Sequence, residues 1–201
     1  RDDGALAAAL RDAAMPPMPA QGVLGCMPNI PANRLNVQLD LRAAGFTVSA
    51  EERSGLVALE VARSLIRAGE IDAALVGAVD ACRDSRHSRA LAALSPSTAP
   101  PGDAAAVLIV MSANRARELA LPVLALLGDD VEGAADLSGA SLPRFGDTHA
   151  ARGLLDLAVA IEGAAAGTLP SGDPWPAAGT RRGRLVVEAL GGASSCCAFS
   201  V

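Results

Sequence analysis

Three observations in the sequence predict a layered α/β fold. Apolar residues make up 51% of the 201 residues but aromatics only 2%, so the core must be built from Ala, Val, Leu and Gly, which let helices and sheets approach closely. Continuous apolar runs of strand length, such as "AALVGAV" at 73–79, suit strands buried on both faces. Between such runs lie segments whose apolar residues recur at helical spacing. The length fits one compact unit, since domains usually hold about 100 to 200 residues.

Taken in order, residues 5–14, "ALAAALRDAA", are strong helix formers, and the prolines of "MPPMP" stop them, so residues 1–20 read as a helix and a Pro-rich linker. "GVLGC" at 22–26 reads as a short strand. "MPNIPANRLN" reads as irregular, with Asn29, Asn33 and Asn36 bonding backbone groups. Phe46 to Ser49 is β-prone. From Ser54 to Ala68, Leu56, Leu59, Val61, Ala62, Leu65 and Ile66 mark one helical face, and Gly69 ends the helix. The strand at 73–79 completes a local strand, helix, strand order.

A polar segment with Arg83, Arg86, His87 and Arg89 leads into the proline loop "SPSTAPPGD". "AAAVLIVMS" reads as a second buried strand, "NRARELA" as a short helix and "LPVLALLG" as another strand. Residues 128–144 read as a connection between two halves. Helical periodicity returns from Thr148 to Ala165, "RLVVEALGG" is a strand turning at Gly191 and Gly192, and "CCAFSV" is a last apolar strand. Self-similarity at solenoid spacing is lacking.

The net charge of −5 and pI near 5.0 argue against nucleic-acid binding, which calls for a basic face. The basic side chains are all arginine, a bias attributed to a GC-rich genome rather than to a site. Cys26, Cys82, Cys196 and Cys197 show neither metal-ligand spacing nor the density of a disulfide scaffold, and read as reduced, buried thiols of a cytoplasmic protein. The longest apolar run, Leu119 to Leu127, is broken by Pro122 and too short to span a bilayer. A signal peptide is not evident at the start, and an initial Arg in place of Met reads as a processed, trimmed or excised piece of something longer.

The strings "FTVSAEERSGL" and "GEIDAALVGAVD" resemble the nucleophile region of β-ketoacyl synthases, where a strand leads to a reactive Cys at the start of a buried helix. "GDAAAVLIV", "FGDTHAARGLLDLAVAI" and "VVEALGGAS" resemble three further blocks of that family, in the same order. The resemblance implies a thiolase-like fold, a buried mixed sheet with helices packed on it, in a shortened version. The family's opening strand and helix and a long part of its second half are expected to be missing.

Laying the family's "TVDTACSSSL" on Thr47 to Leu56 puts Glu52 where the family carries its acyl-accepting cysteine. A carboxylate cannot replace that thiolate, because its acyl product would be a labile anhydride. The family's "GH..AA.G" string falls on Gly146 to Gly153, with Asp147 at the histidine's position and Leu142 where a lysine is usual; the "HGTGT" string is missing. His149 stands two residues away, with its ring expected to leave in a different direction. Condensation needs two histidines to stabilise the developing oxyanion. No catalysis is therefore expected of this chain alone.

For Glu51 and Glu52 the favoured reading is structural: Ser49 with Glu52 forms an S-x-x-E capping box, and first-turn carboxylates suit the helix dipole. The "FTVSAEE" variant looks most like the chain length factor paired with a ketosynthase in polyunsaturated-fatty-acid and iterative polyketide synthases. That resemblance implies a heterodimer with an active ketosynthase, contact with an acyl carrier protein only indirectly, no cofactor and no metal, and no membrane or nucleic-acid partner. It also implies that Phe46, Thr47, Val48 and Ser49 pair across the dimer. The alternatives are a ketosynthase-like decarboxylase or acyltransferase using Glu52 or His149, and a purely architectural domain. His87 reads as a surface residue. Cys196 and Cys197 read as pointing to opposite faces. Apolar surface is expected to be exposed unless another chain covers it, as a mean hydropathy of +0.32 suggests.

Overall fold

The computed structural model describes residues 3–14, 18–94, 99–128, 133–176 and 179–201. The predicted break at Met15 to Pro17 and parts of the loops at 95–103 and 128–144 lie outside the described residues. The chain divides into two compact units, Arg1–Thr47 and Val48–Val201.

The first unit holds three helices: α1 (Asp3–Ala14), α2 (Ala20–Cys26) and α3 (Ile30–Gln38). Helix α2 replaces the strand expected at 22–26. A five-residue apolar run does not decide between helix and strand, and here an i→i+4 bond from Val23 to Pro19 closes the first turn. Helix α3 replaces the irregular stretch expected at 27–36. Pro31 sits in its first turn, where a missing N–H costs nothing. The three helices bury no residue. Phe46 to Ser49 belong to no strand, for an extended segment needs a ladder partner and these residues pair with no described strand.

The second unit is built in layers. Helix α4 (Ser54–Arg67) follows a 3-10 turn at Glu51–Arg53. It ends as expected, with Gly69 in the left-handed region at φ +73° and the Glu70 N–H bonded to Leu65 O at 3.0 Å. Strand β1 (Ala73–Ala81), helix α5 (Ser85–Leu94), strand β2 (Asp103–Met111) and helix α6 (Ala113–Glu118) come next. Helix α5 was not foreseen in the polar segment after β1. Asp84 starts it by accepting the N–H of Arg86 at 2.9 Å, a bond that lowers its carboxyl pKa. Strands β3 (Leu126–Gly128) and β4 (Ala135–Asp136), helix α7 (Leu142–Phe145), a 3-10 turn at His149–Ala151, helix α8 (Arg152–Ala166), and strands β5 (Arg182–Glu188) and β6 (Ser194–Ser200) complete the unit. The strand expected over 121–128 shrinks to its last three residues, and the connection at 128–144 contains β4 and α7.

Strands β1 and β2 pair antiparallel from Ala73↔Met111 to Ala81↔Asp103. The other sheet is mixed, in the order β3-β6-β5-β4, with only β4 and β5 parallel. Helices α4 and α8 lie between the two sheets: α4 packs on β1, β2 and β6, and α8 on β2 and β5. The core is mostly aliphatic, with Leu56, Leu59, Leu154, Leu157 and Leu185 packed around Phe199. Asp156 is buried within it and accepts from Gly139 N, Ser141 N and Ser141 Oγ at 3.0, 2.8 and 2.6 Å. Burial alternates along β1 and β2, so Val76 and Ala106 face inward while Val79, Val107 and Ile109 are exposed. The expectation of strands buried on both faces is thus corrected. A continuous apolar run fits either arrangement, and the helices cover one face only.

Close approach of α4 and α8 depends on two glycines. A methyl group at Gly55 would stand 2.9 Å from Leu154 Cγ, and one at Gly153 would stand 2.6 Å from Leu56 Cγ. The Gly153→Val variant should lose about 1–3 kcal/mol of stability through overpacking, measured as a lower urea midpoint; an unchanged midpoint would show that the helices can part without cost.

Candidate functional site

The N-terminal ends of α4 and α8 lie side by side, and each is entered by a strained 3-10 turn. Glu51 has φ +54° and His149 φ +42°, values that ordinary side chains adopt rarely. The predicted capping box does not form. Ser54, not Ser49, serves the start of α4: its Oγ accepts the N–H of Ala50 at 2.9 Å and donates to Glu51 O at 2.6 Å. The Glu52 side chain is thereby free of backbone duty and turns inward, to 8% exposure.

There it meets His149. Nε2 of His149 lies 3.8 Å from Glu52 Oε1, and Nδ1 lies 3.0 Å from Asp80 Oδ2 at the end of β1. The same Asp80 oxygen accepts the N–H of Ala150 at 3.2 Å. An ionised carboxylate only accepts, so Asp80 requires a proton on Nδ1 and fixes the ring's orientation. His149 does not stand on a helix, as its place in the sequence suggests; it lies in a 3-10 turn whose left-handed backbone swings the ring toward Glu52.

Asp147 lies outside the helix too. Its Oδ1 accepts the N–H of His149 at 3.1 Å, and its backbone bonds Pro100 O and Gly102 N at 2.7 and 2.8 Å. Leu142 opens α7. His87, on α5, is half-buried rather than on the surface; its ring meets that of His149 edge-to-face at 5.2 Å. Helix formation after β1, unforeseen, is what turns His87 inward. Two polar atoms of the cluster, Glu52 Oε2 and His87 Nε2, are buried without a hydrogen-bond partner. Asp80 was not singled out by sequence reasoning; the one signal was an acid closing an apolar strand.

Cys82 follows in the same region. Burial, reinforced by the neighbouring Asp80 charge, pushes its thiol up to about 12. Cys197 is also buried, at about 11, whereas Cys26 and Cys196 are exposed, which corrects the expectation that all four thiols are buried. Cys196 and Cys197 do take opposite faces of β6. Among the described residues, no group of three or more His, Cys, Asp and Glu side chains is placed to hold a metal ion.

Residues 6–107, half of the chain, match the family described as β-ketoacyl synthase, N-terminal domain. The chain belongs to the β-ketoacyl synthase family. Its fold is that of solved ketosynthases. A ketosynthase from module 6 of the bacillaene synthase of Bacillus subtilis 168 superposes with a TM-score of 0.73 at 15% identity, over 89% of this chain and 51% of that one. The ishigamide ketosynthase/chain length factor gives 0.68 at 17% identity, over 95% and 67%. A β-ketoacyl synthase from Burkholderia phymatum STM815 gives 0.73 at 15%, over 96% and 70%. At these identities the likeness concerns the fold, which is the expected thiolase-like one in shortened form. This ketosynthase-family chain spans about half the length of the bacillaene synthase domain it matches. No curated protein matches it. No helix among the described residues is long and apolar enough to cross a membrane.

A thiol at about 12 is ionised to only about one part in ten thousand at pH 8. Iodoacetamide at that pH should therefore label Cys26 and Cys196 in the native protein and spare Cys82 and Cys197, giving two adducts by intact mass. Rapid labelling of Cys82 would reveal a reactive thiol beside Asp80.

Proposed function

We propose that this ketosynthase-family chain is a non-condensing, chain-length-factor-like partner of an active ketosynthase. The observation that supports this reading best is the placement of Glu52. At the position aligned with the family's cysteine stands a carboxylate buried against an imidazole, and the nearby thiol, Cys82, is kept un-ionised. An acyl group would have no thiolate to join there. Similarity of fold to the ishigamide ketosynthase/chain length factor agrees with this.

On this reading the chain works in the cytoplasm by binding, and acyl chains arrive on a carrier protein docked mainly to the partner. Glu52, Asp147 and Leu142 are then the degenerate positions of the family's catalytic set. Phe46, Thr47, Val48 and Ser49 supply the pairing segment, and Phe46 is half exposed. The orientation of His149 by Asp80 favours a second reading, a ketosynthase-like decarboxylase or acyltransferase, because an oriented imidazole is a usual acid–base group.

Incubation with malonyl carrier protein separates the two. The chain alone should release no carbon dioxide above the blank, and turnover that disappears in Glu52→Ala would overturn the first reading. With the partner ketosynthase reconstituted, Phe46→Ala should weaken co-purification and shift product length; an unchanged product distribution would favour a purely architectural role.

A further inference from the structure

His149 ties three elements together: the end of β1 through Asp80, the turn before α4 through Glu52, and its own turn before α8. The ring has two nitrogens and both face carboxylates. With Nδ1–H donated to Asp80, a neutral ring presents a lone pair at Nε2 toward the Glu52 carboxylate, and two acceptors repel. A protonated ring donates from both nitrogens, and both contacts become charge-assisted.

The remaining groups around the ring do not supply the missing proton. His87 meets it edge-on from α5, with Nε2 buried and unpartnered. Asp147 accepts the backbone N–H of His149. Cys82, beyond Asp80, stays a thiol up to about 12. Asp103 accepts the N–H of Arg83. Both turns that Glu52 and His149 occupy are held in left-handed backbone at φ +54° and +42°, so each is ready to relax when its side-chain contact is lost.

We propose that His149 is a proton-operated latch, which binds Asp80 and Glu52 together when its ring is protonated and keeps Asp80 but releases Glu52 when the ring is neutral. Release frees the 51–53 turn and exposes the Glu52 carboxylate, which changes the charge presented at the head of α4. This goes beyond the pairing role and does not depend on it.

Amide hydrogen exchange tests the latch on the intact chain. The Arg53 and Ala151 amides close the two turns by bonding Ala50 O and Thr148 O. After correction for the intrinsic rate, their protection should be about tenfold higher at about pH 6 than at about pH 8.5. The His149→Asn variant, whose side chain tolerates left-handed backbone, should show equal protection at both. Glu52→Gln, whose amide donates to a neutral Nε2, should stay protected at both. A wild-type pH response that persists in His149→Asn, or one that vanishes instead in His87→Asn, would overturn the proposal.

Discussion

The approach of α4 to α8 is the constraint from which the rest of the second unit follows. Gly55 and Gly153 leave each helix without a side chain where the other passes, and dispersion is gained only at such short separations. Because both glycines lie in the first turn of their helices, the two N-terminal ends are brought together, not merely the middles. The turns at 51–53 and 149–151 become neighbours as a result. Glu52 and His149 are therefore partners by virtue of helix packing, before any attraction between them counts.

The sheets divide their labour around that pair of helices. The mixed sheet buries Leu185, Val187 and Phe199 against the core. The β1–β2 ribbon covers the opposite side, and an isolated two-stranded ribbon is marginal in water. It holds here because Val76 and Ala106 pack inward. Its outer residues Val79, Val107 and Ile109 add nothing to that hold, being 72%, 59% and 74% exposed, in agreement with the apolar exposure expected from the sequence.

Helices α4 and α8 were legible because amphipathic spacing over 14 or 15 residues leaves no competing period. Short apolar runs were not: "GVLGC" reads as a strand but lies in helix α2, and α5 hid in a polar segment whose only start signal was Asp84. The family resemblance drew attention to Glu52 but not to its surroundings. Side-chain direction at 52 and 149 is decided by left-handed backbone in the preceding turns, and nothing in local propensity announces φ +42° at a histidine. Asp80 was invisible for a different reason. Its role exists only once a residue 69 positions away arrives beside it.

A carboxylate is a poor filler for a buried position, and that fact limits how Glu52 can be understood. Burying a polar atom without a partner costs about 1–3 kcal/mol, and Glu52 Oε2 has none. If the position needed only volume, an aliphatic side chain would fill it without that cost, as Leu56 and Leu59 do one and two turns later. What a carboxylate adds is charge, placed where a helix N-terminus favours it and within reach of an imidazole already oriented by Asp80. Glu52 is therefore not an inert plug. It is a charged group that meets His149 where the two turns and the end of β1 come together.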